Sequence, residues 1–371
     1  MHPNSTSWWR LFKLDSEKNI LLEVDVVDSI INIFLNSYDD FYLTTWINES
    51  FMQVHTIRAG TLNWERIATI DYLTRVYMDN DGNLIYDAEY YGVYFLKYNT
   101  TKAVRVKYLD GFEWNGAALT DKKGNTYLEG HTGRNDSNII LEDQVVVISA
   151  ESKENTPEGF VVIACSPITD FRFEITGNNE LLIGITDGVD GTVQKYSNKT
   201  LTTLLSDKGY YFLKGNDKIT LIVSCDSAAS RCRFLYLTLD GEIVQISNLQ
   251  NVTRDTLTIK NAFNEAGDVY ISDMEKIDQS SLEFLNHTAT ETIPIYFNAT
   301  VEIQIRDIFL DGNENLWILT IDNGIFYLEN GSIHPEQVPG SEELAASAIS
   351  VDKRTNEVFV LSKNGLFVIT K

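Results

Sequence analysis

The chain has 371 residues, 43% of them apolar and 11% aromatic, with only six prolines, so it can bury a large core and is not a disordered chain. Thirty Lys and Arg against 53 Asp and Glu give a formal charge of −23, which repels phosphate backbones and argues against nucleic acid as a partner. No apolar run approaches the roughly 18 to 20 residues that a membrane-spanning helix needs, so membrane insertion is not expected.

In chain order, the N-terminal region 1–27 holds two strand-like runs, WWRLFKL and NILLEVDV, that belong to no repeat of their own. A repeat then begins. VYMDNDGNLIYDAEYYGVYFL (76–96) and IFLDGNENLWILTIDNGIFYL (308–328) align without a gap, sharing Asp79/Asp311, Asn83/Asn315, Leu84/Leu316, Gly92/Gly324 and Leu96/Leu328. The same plan of an apolar strand, a four-residue polar turn and a second apolar strand recurs around Asp40, Asn83, Asn125, Glu180, Lys218, Asp268, Asn315 and Glu357. These marks stand 38 to 55 residues apart, the length of a four-stranded propeller blade. Asp, Asn and Gly between β-branched and aromatic runs are hairpin-turn chemistry, and DNG at 322–324 and KNG at 363–365 signal the next hairpin. Helical periodicity is nearly absent, apart from a turn in SEELAAS (341–347).

The expected fold is therefore all-β: one β-propeller over 1–371, with eight blades, or seven if the third or fifth unit is an insertion. After Glu357 only EVFVLS and LFVITK remain, so the last blade lacks a fourth strand, and a strand from 1–27 pairing with 365–370 would close the ring and protect its edges.

Nine Asn-x-Ser/Thr sequons, at Asn4, Asn48, Asn99, Asn135, Asn198, Asn251, Asn286, Asn298 and Asn330, exceed the roughly five expected by chance and point to a secreted, glycosylated protein, which is expected to be a monomer. MHPNSTSWWRLF lacks the apolar stretch of a signal peptide, so the chain reads as a mature form with an added Met. Cys225 and Cys232 bracket CDSAASRC between two strand-like runs and suit a hairpin disulfide in an oxidising compartment, leaving Cys165 as a buried free thiol.

Motifs for chemistry are sparse. Five histidines, His2, His55, His131, His287 and His334, lack the spacing of zinc or triad sites, and DNDGN departs from the calcium-loop order. A stronger lead lies down the repeat. Four residues before the turn, the eight units carry Asn32, Arg75, Ala117, Arg172, Tyr210, Lys260, Asp307 and Ala348. In a propeller these positions surround the central channel. Arg75, Arg172 and Lys260 would hold an anion, Tyr210 would stack or donate a hydrogen bond, and Trp114, Trp46, Tyr90 and Tyr91 would extend the cavity. The competing reading pairs these cations with Asp307, Glu174 or other carboxylates.

The pattern Asp-x-x-Gly-Asn-Leu-Trp, seen in DNDGNLIY (79–86) and DGNENLWIL (311–319), resembles the propeller repeat of two-component regulator sensors and regucalcin-like proteins, and the whole is similar in style to the insect haemolymph ommochrome-binding proteins. That resemblance implies a non-catalytic carrier whose only cofactor-like group is a bound small chromophore. Its alternatives are a regucalcin-like metal-dependent lactonase and an extracellular protein-interaction propeller.

Overall fold

The computed structural model describes residues 9–369 apart from 15–19, 27–29, 36–37, 39, 49–50, 59–63, 72, 89–91, 110, 135–139, 154–156, 166–169, 187–189, 209, 227–230, 251–259, 274–280, 287–291, 298–302, 343, 345, 353–355 and 363–364. It divides into two compact units, 1–171 and 172–371.

In the first unit, β1 (Trp9–Leu14) and β2 (Ile20–Val26) pair with each other. The first four-stranded sheet comprises β3 (Ile30–Leu35), β4 (Phe41–Asn48), β5 (Phe51–Ile57) and β6 (Trp64–Asp71). The second comprises β7 (Leu73–Met78), β8 (Leu84–Ala88), β9 (Gly92–Leu96) and β10 (Val104–Arg105). The third comprises β11 (Phe112–Thr120), β12 (Thr126–Arg134), β13 (Ile140–Ile148) and, after the short helix α1 (Ala150–Lys153), β14 (Gly159–Cys165).

The second unit continues the plan. Its sheets are β15 (Asp170–Ile175) with β16 (Leu181–Thr186), β17 (Asp190–Ser197) and β18 (Thr200–Lys208); then β19 (Tyr210–Gly215), β20 (Thr220–Asp226), β21 (Arg231–Leu237) and β22 (Ile243–Gln250). Next come β23 (Lys260–Phe263), β24 (Val269–Asp273), β25 (Ser281–Leu285) and β26 (Thr292–Ile295), then β27 (Ile305–Leu310), β28 (Leu316–Thr320), β29 (Ile325–Leu328) and β30 (Glu336–Gln337). The last sheet holds β31 (Ala346–Asp352), β32 (Glu357–Ser362) and β33 (Gly365–Ile369).

Every sheet is a meander in chain order, and each sequence mark falls in the connection between the first and second strands or opens the second. Among the described residues the last sheet has three strands and β1 pairs with β2, so the closing strand expected from the N-terminal region is not seen there. At SEELAAS, Leu344 N–H donates to Ser341 C=O as in a turn, and Ser341 Oγ accepts from Ile325 N–H and donates to Ile325 C=O; residues 343 and 345 lie outside the described residues. A short helix, α1, lies at AESK.

Core residues sit between successive sheets within each unit. In the first, Ile85, Val93 and Phe95 pack with Phe112, Trp114, Leu128 and Val146. In the second, Leu221, Val223 and Tyr236 pack with Val269 and Ile271, and Tyr270 and Leu282 pack with Ile305, Ile308 and Ile318. Because both faces are covered, the middle strands read as continuous apolar runs rather than alternating ones; LIYDA of β8 and LWILT of β28 are buried at every residue. Each such Leu or Ile contributes roughly 1.5–3 kcal/mol.

Candidate functional site

The repeated Asp-x-x-x-Asn is a clasp. Asp79 Oδ1 accepts from the backbone N–H of Asp81 and Asn83 and from Asn83 Nδ2, whose other contact is Asp79 Oδ2. Asn83 Oδ1 then accepts from Tyr98 N–H, tying the first turn of the sheet to the turn that leaves its third strand. Asp121 with Asn125 and Asp311 with Asn315 repeat this, reaching Ala150 N–H and Asn330 N–H. Tyr127 OH and Trp317 Nε1 add a further donor to Asp121 and Asp311. The residues that mark the repeat are therefore structural, and DNDGN is a turn of this kind.

One cation missed by sequence reasoning is built into a clasp. Lys153, at the end of α1 and buried, donates to Asp79 Oδ2 at 2.8 Å, to Gly124 C=O at 2.7 Å and to Thr126 Oγ1 at 2.7 Å. It joins the second sheet to the third. A separation of 74 residues hides the pair from any motif.

A second group missed by sequence reasoning surrounds Asp40. Its carboxylate accepts from Arg58 at 3.0 Å and from Tyr98 OH at 2.8 Å, while the Arg58 guanidinium lies 5.2 Å from the Tyr98 ring centroid and Tyr38 stacks on that ring at 4.8 Å. The hydrogen bond to Asp40 holds the Tyr98 phenol above its ordinary pKa, and burial does the same to Tyr42.

The sequence-predicted ligand residues all lie on first strands except Trp114's neighbours in the aromatic set, and the structure treats them differently. A β-bulge immediately precedes Asn32, Arg75, Asp307 and Ala348, with Ile31, Thr74, Arg306 and Ser347 as the extra residues. In β11 the bulge is larger: between the Trp114–Gly130 and Ala118–Leu128 pairs, three residues face Glu129 alone. Arg75 is exposed and donates to Gly116 C=O in that bulge at 3.3 Å; buried Trp114 donates to the same oxygen through Nε1 at 3.0 Å. Glu129 Oε2 accepts from Ala117 N–H, and a Cβ at Gly116 would push the Glu129 carboxyl out of that position. Arg75 and Trp114 are thus brought together. Arg306 makes the same move in the second unit, donating to Ala346 C=O at 3.4 Å.

In the second unit, Arg172 is exposed, and Lys260 and Asp307 are half-buried. Asp307 Oδ1 accepts from Ile308 N–H, and Lys260 makes no hydrogen bond or ion pair among the described residues. Ser272, directly opposite Lys260 in the sheet, is fully buried. The Tyr210 and Trp46 side chains and Tyr90 and Tyr91 lie outside the described residues. No group of His, Cys, Asp and Glu suited to a metal occurs among the described residues.

Cys225 and Cys232 stand directly opposite each other in the β20–β21 register. Their side chains, and that of Cys165 at the end of β14, lie outside the described residues. Among the sequons, Asn99, Asn198 and Asn330 are exposed in turns following third strands, and Asn286 is half-buried just after β25. Asn4, Asn48, Asn135, Asn251 and Asn298 have no described side chains.

No family model and no curated protein matches the chain. Solved structures do. A structure described as the eukaryotic initiation factor superposes with a TM-score of 0.58 at 9% identity, over 84% of this chain and 78% of that one. Saccharomyces cerevisiae Sqt1 gives 0.52 at 9% identity, over 99% and 98%. A prolyl endopeptidase gives 0.52 at 13% identity, over 93% of this chain and 55% of that one. The chain spans little more than half the length of the peptidases it matches. Serial four-stranded meanders and these neighbours define a β-propeller protein.

Proposed function

We propose that the chain is a secreted, glycosylated, monomeric and non-catalytic carrier of a small anionic or conjugated molecule, built as an eight-bladed propeller closed by a strand from its N-terminal region. The observation that supports it most is the recurrent bulge in the first strands of the sheets, just before the positions of Arg75 and Asp307. Bulges re-aim the following side chain and concentrate beside binding sites. Lys260 adds to this, because a half-buried cation without a protein partner among the described residues favours an anionic ligand. Arg75 counts the other way, since its guanidinium already serves a backbone carbonyl.

Secretion is supported by the three exposed sequons and by the facing cysteines, because directly opposed residues on antiparallel strands have Cα atoms about 4.5–5.5 Å apart, within disulfide range. The decisive experiment is an absorption spectrum and native mass spectrum of protein purified from its natural source. A retained small molecule that is lost from the Lys260→Met and Arg172→Met proteins supports the reading. Retention unchanged in both variants removes these residues from the site, and a hydrolytic activity abolished by chelation replaces the carrier with a metal-dependent lactonase.

A further inference from the structure

Between the sheet of β7–β10 and that of β11–β14, the chain fills the space at the turns with a side chain of its own. Residues 149–158 connect β13 to β14, and α1 within them sends Lys153 Nζ to Asp79 of one sheet and to Gly124 C=O and Thr126 Oγ1 of the other. The sheet of β15–β18 and that of β19–β22 are built alike at this place. Thr176 N–H donates to Glu180 C=O as Asp79 N–H donates to Asn83 C=O, and Thr220 opens β20 as Thr126 opens β12. Here, however, the third strand joins the fourth through 238–242 alone, a tight turn in which Gly241 N–H donates to Thr238 C=O. No helix is inserted, and the place is a cavity of about 140 Å³ lined by Thr176, Thr220 and that turn.

The charges of the wall cancel. Lys195 is held by Glu180 at 3.2 Å, while Lys218 and Asp240, both exposed, make no ion pair among the described residues. A cation would lack the buried carboxylate that Asp79 gives Lys153, since Thr176 stands in its place, and an anion would meet two carboxylates as well as two ammonium groups. A ligand of either net charge would therefore be left uncompensated. What the wall supplies is hydrogen bonding in both directions. Thr176 Oγ1 accepts from Glu180 N–H and keeps its proton to donate, and Thr220, 1% exposed, makes no side-chain hydrogen bond among the described residues. Leu204, Leu237 and Leu239 add apolar surface. The rim is tied in advance: Asn178 Nδ2 donates to Leu239 C=O at 2.6 Å, and a Cβ at Gly177 would collide with the Asp217 backbone, so the turns close on each other there.

We infer that this cavity binds a neutral, polyhydroxylated molecule the size of one sugar ring, free or at the end of a glycan. Its hydroxyls bond the two threonines and bridge the Lys195–Glu180 pair, and its C–H face lies on the leucines. The volume suits several waters or one such ring and falls short of the roughly 300 Å³ at which drug-sized ligand pockets begin. None of Arg75, Arg172, Lys260 and Asp307 lines it, so the site stands or falls separately from the carrier reading above.

The test is saturation-transfer NMR on the full chain with glucose, galactose, mannose, N-acetylglucosamine and myo-inositol, beside glucuronate and glucosamine as charged controls. Methyl glycosides of the four sugars separate a free sugar from a glycan end, since only the latter reading predicts that they bind as well. At least one neutral member is expected to bind with a Kd of about 1 mM or below, and more tightly than either charged control. Thr220→Val, which removes the buried hydroxyl and keeps its shape, should weaken that binding about tenfold. A thermal melt verifies that the variant is folded, and Lys218→Met, at an exposed position, gives a second reading with a loss of about threefold. No transfer to any neutral member leaves water as the occupant and overturns the inference. So does tighter binding of glucuronate or glucosamine, or binding unchanged in both folded variants.

Discussion

The turns after the first strand come in two kinds. At 79–83, 121–125 and 311–315, an Asp and an Asn four residues apart bond each other and the turn backbone, and the Asn also holds the chain where it leaves the third strand. At 176–180, Thr176 Oγ1 only accepts from Glu180 N–H, and at 216–219 Asn216 caps Lys218 and Ile219. At 264–268 the order is reversed: Asn264 caps Gly267 and Asp268 and donates to the Asp268 carboxylate. Both kinds form a hairpin. Only the first is seen to join two turns of one sheet; in the second kind Asn178 Nδ2 and Asn216 Nδ2 reach instead to Leu239 C=O and Asn264 C=O of the next sheet.

Breaking a clasp that also holds Lys153 should cost most. Asp79→Ala removes the acceptor of four donors and leaves a buried ammonium with only Gly124 C=O and Thr126 Oγ1. A loss of about 3–5 kcal/mol is expected in denaturant melts. Asp79→Ala combined with Lys153→Met should recover part of it, since the uncompensated charge goes too.

Asn315→Ala tests the clasp without the lysine. It deletes the bond to Asn330 N–H and both contacts to Asp311, and should lower stability by about 1–3 kcal/mol. Thr176→Val, which removes one local hydrogen bond, should cost about 0.5–1.5 kcal/mol; equal losses for the two would erase the distinction between the turns.

The smallest effect at neutral pH belongs to Tyr236. Tyr127 and Trp317 donate to the clasp carboxylates, whereas the buried Tyr236 hydroxyl lies near Asp268 without a hydrogen-bond partner among the described residues. Tyr236→Phe should change stability at pH 7 by less than about 0.5 kcal/mol. Burial, aided by Asp268, raises the phenol well above its ordinary value of 10, so the folded state keeps the proton that the unfolded state releases. Its contribution is present below pH 10 and is lost as pH rises further. Alkaline melts of Tyr236→Phe should therefore fall less steeply than wild type above pH 10.

The redox expectation has its own measurement: Cys225 and Cys232 should resist alkylation in the native protein until a reductant is added, and free labelling of both would contradict an oxidising compartment.

Much of the fold was legible because its signals are local. Asp79 and Asn83, or Asp311 and Asn315, interact across four residues, and the apolar runs either side of them are the strands that pack sheet on sheet. What a sequence pattern cannot carry is a partner chosen by packing. Lys153 in AESK looks like a solvated helix residue until α1 brings it 2.8 Å from Asp79. Arg75 reads as a free channel cation until the bulge in β11 turns the Gly116 carbonyl toward it, 41 residues away. By itself the sequence determined the strands, the turns between them and the spacing of the sheets, since hydrogen-bonding side chains and β-branched residues act on their own neighbourhood. Only the tertiary structure decided which charges are spent on the protein's own backbone and which remain exposed, because desolvation and pairing depend on what the neighbouring sheet presents.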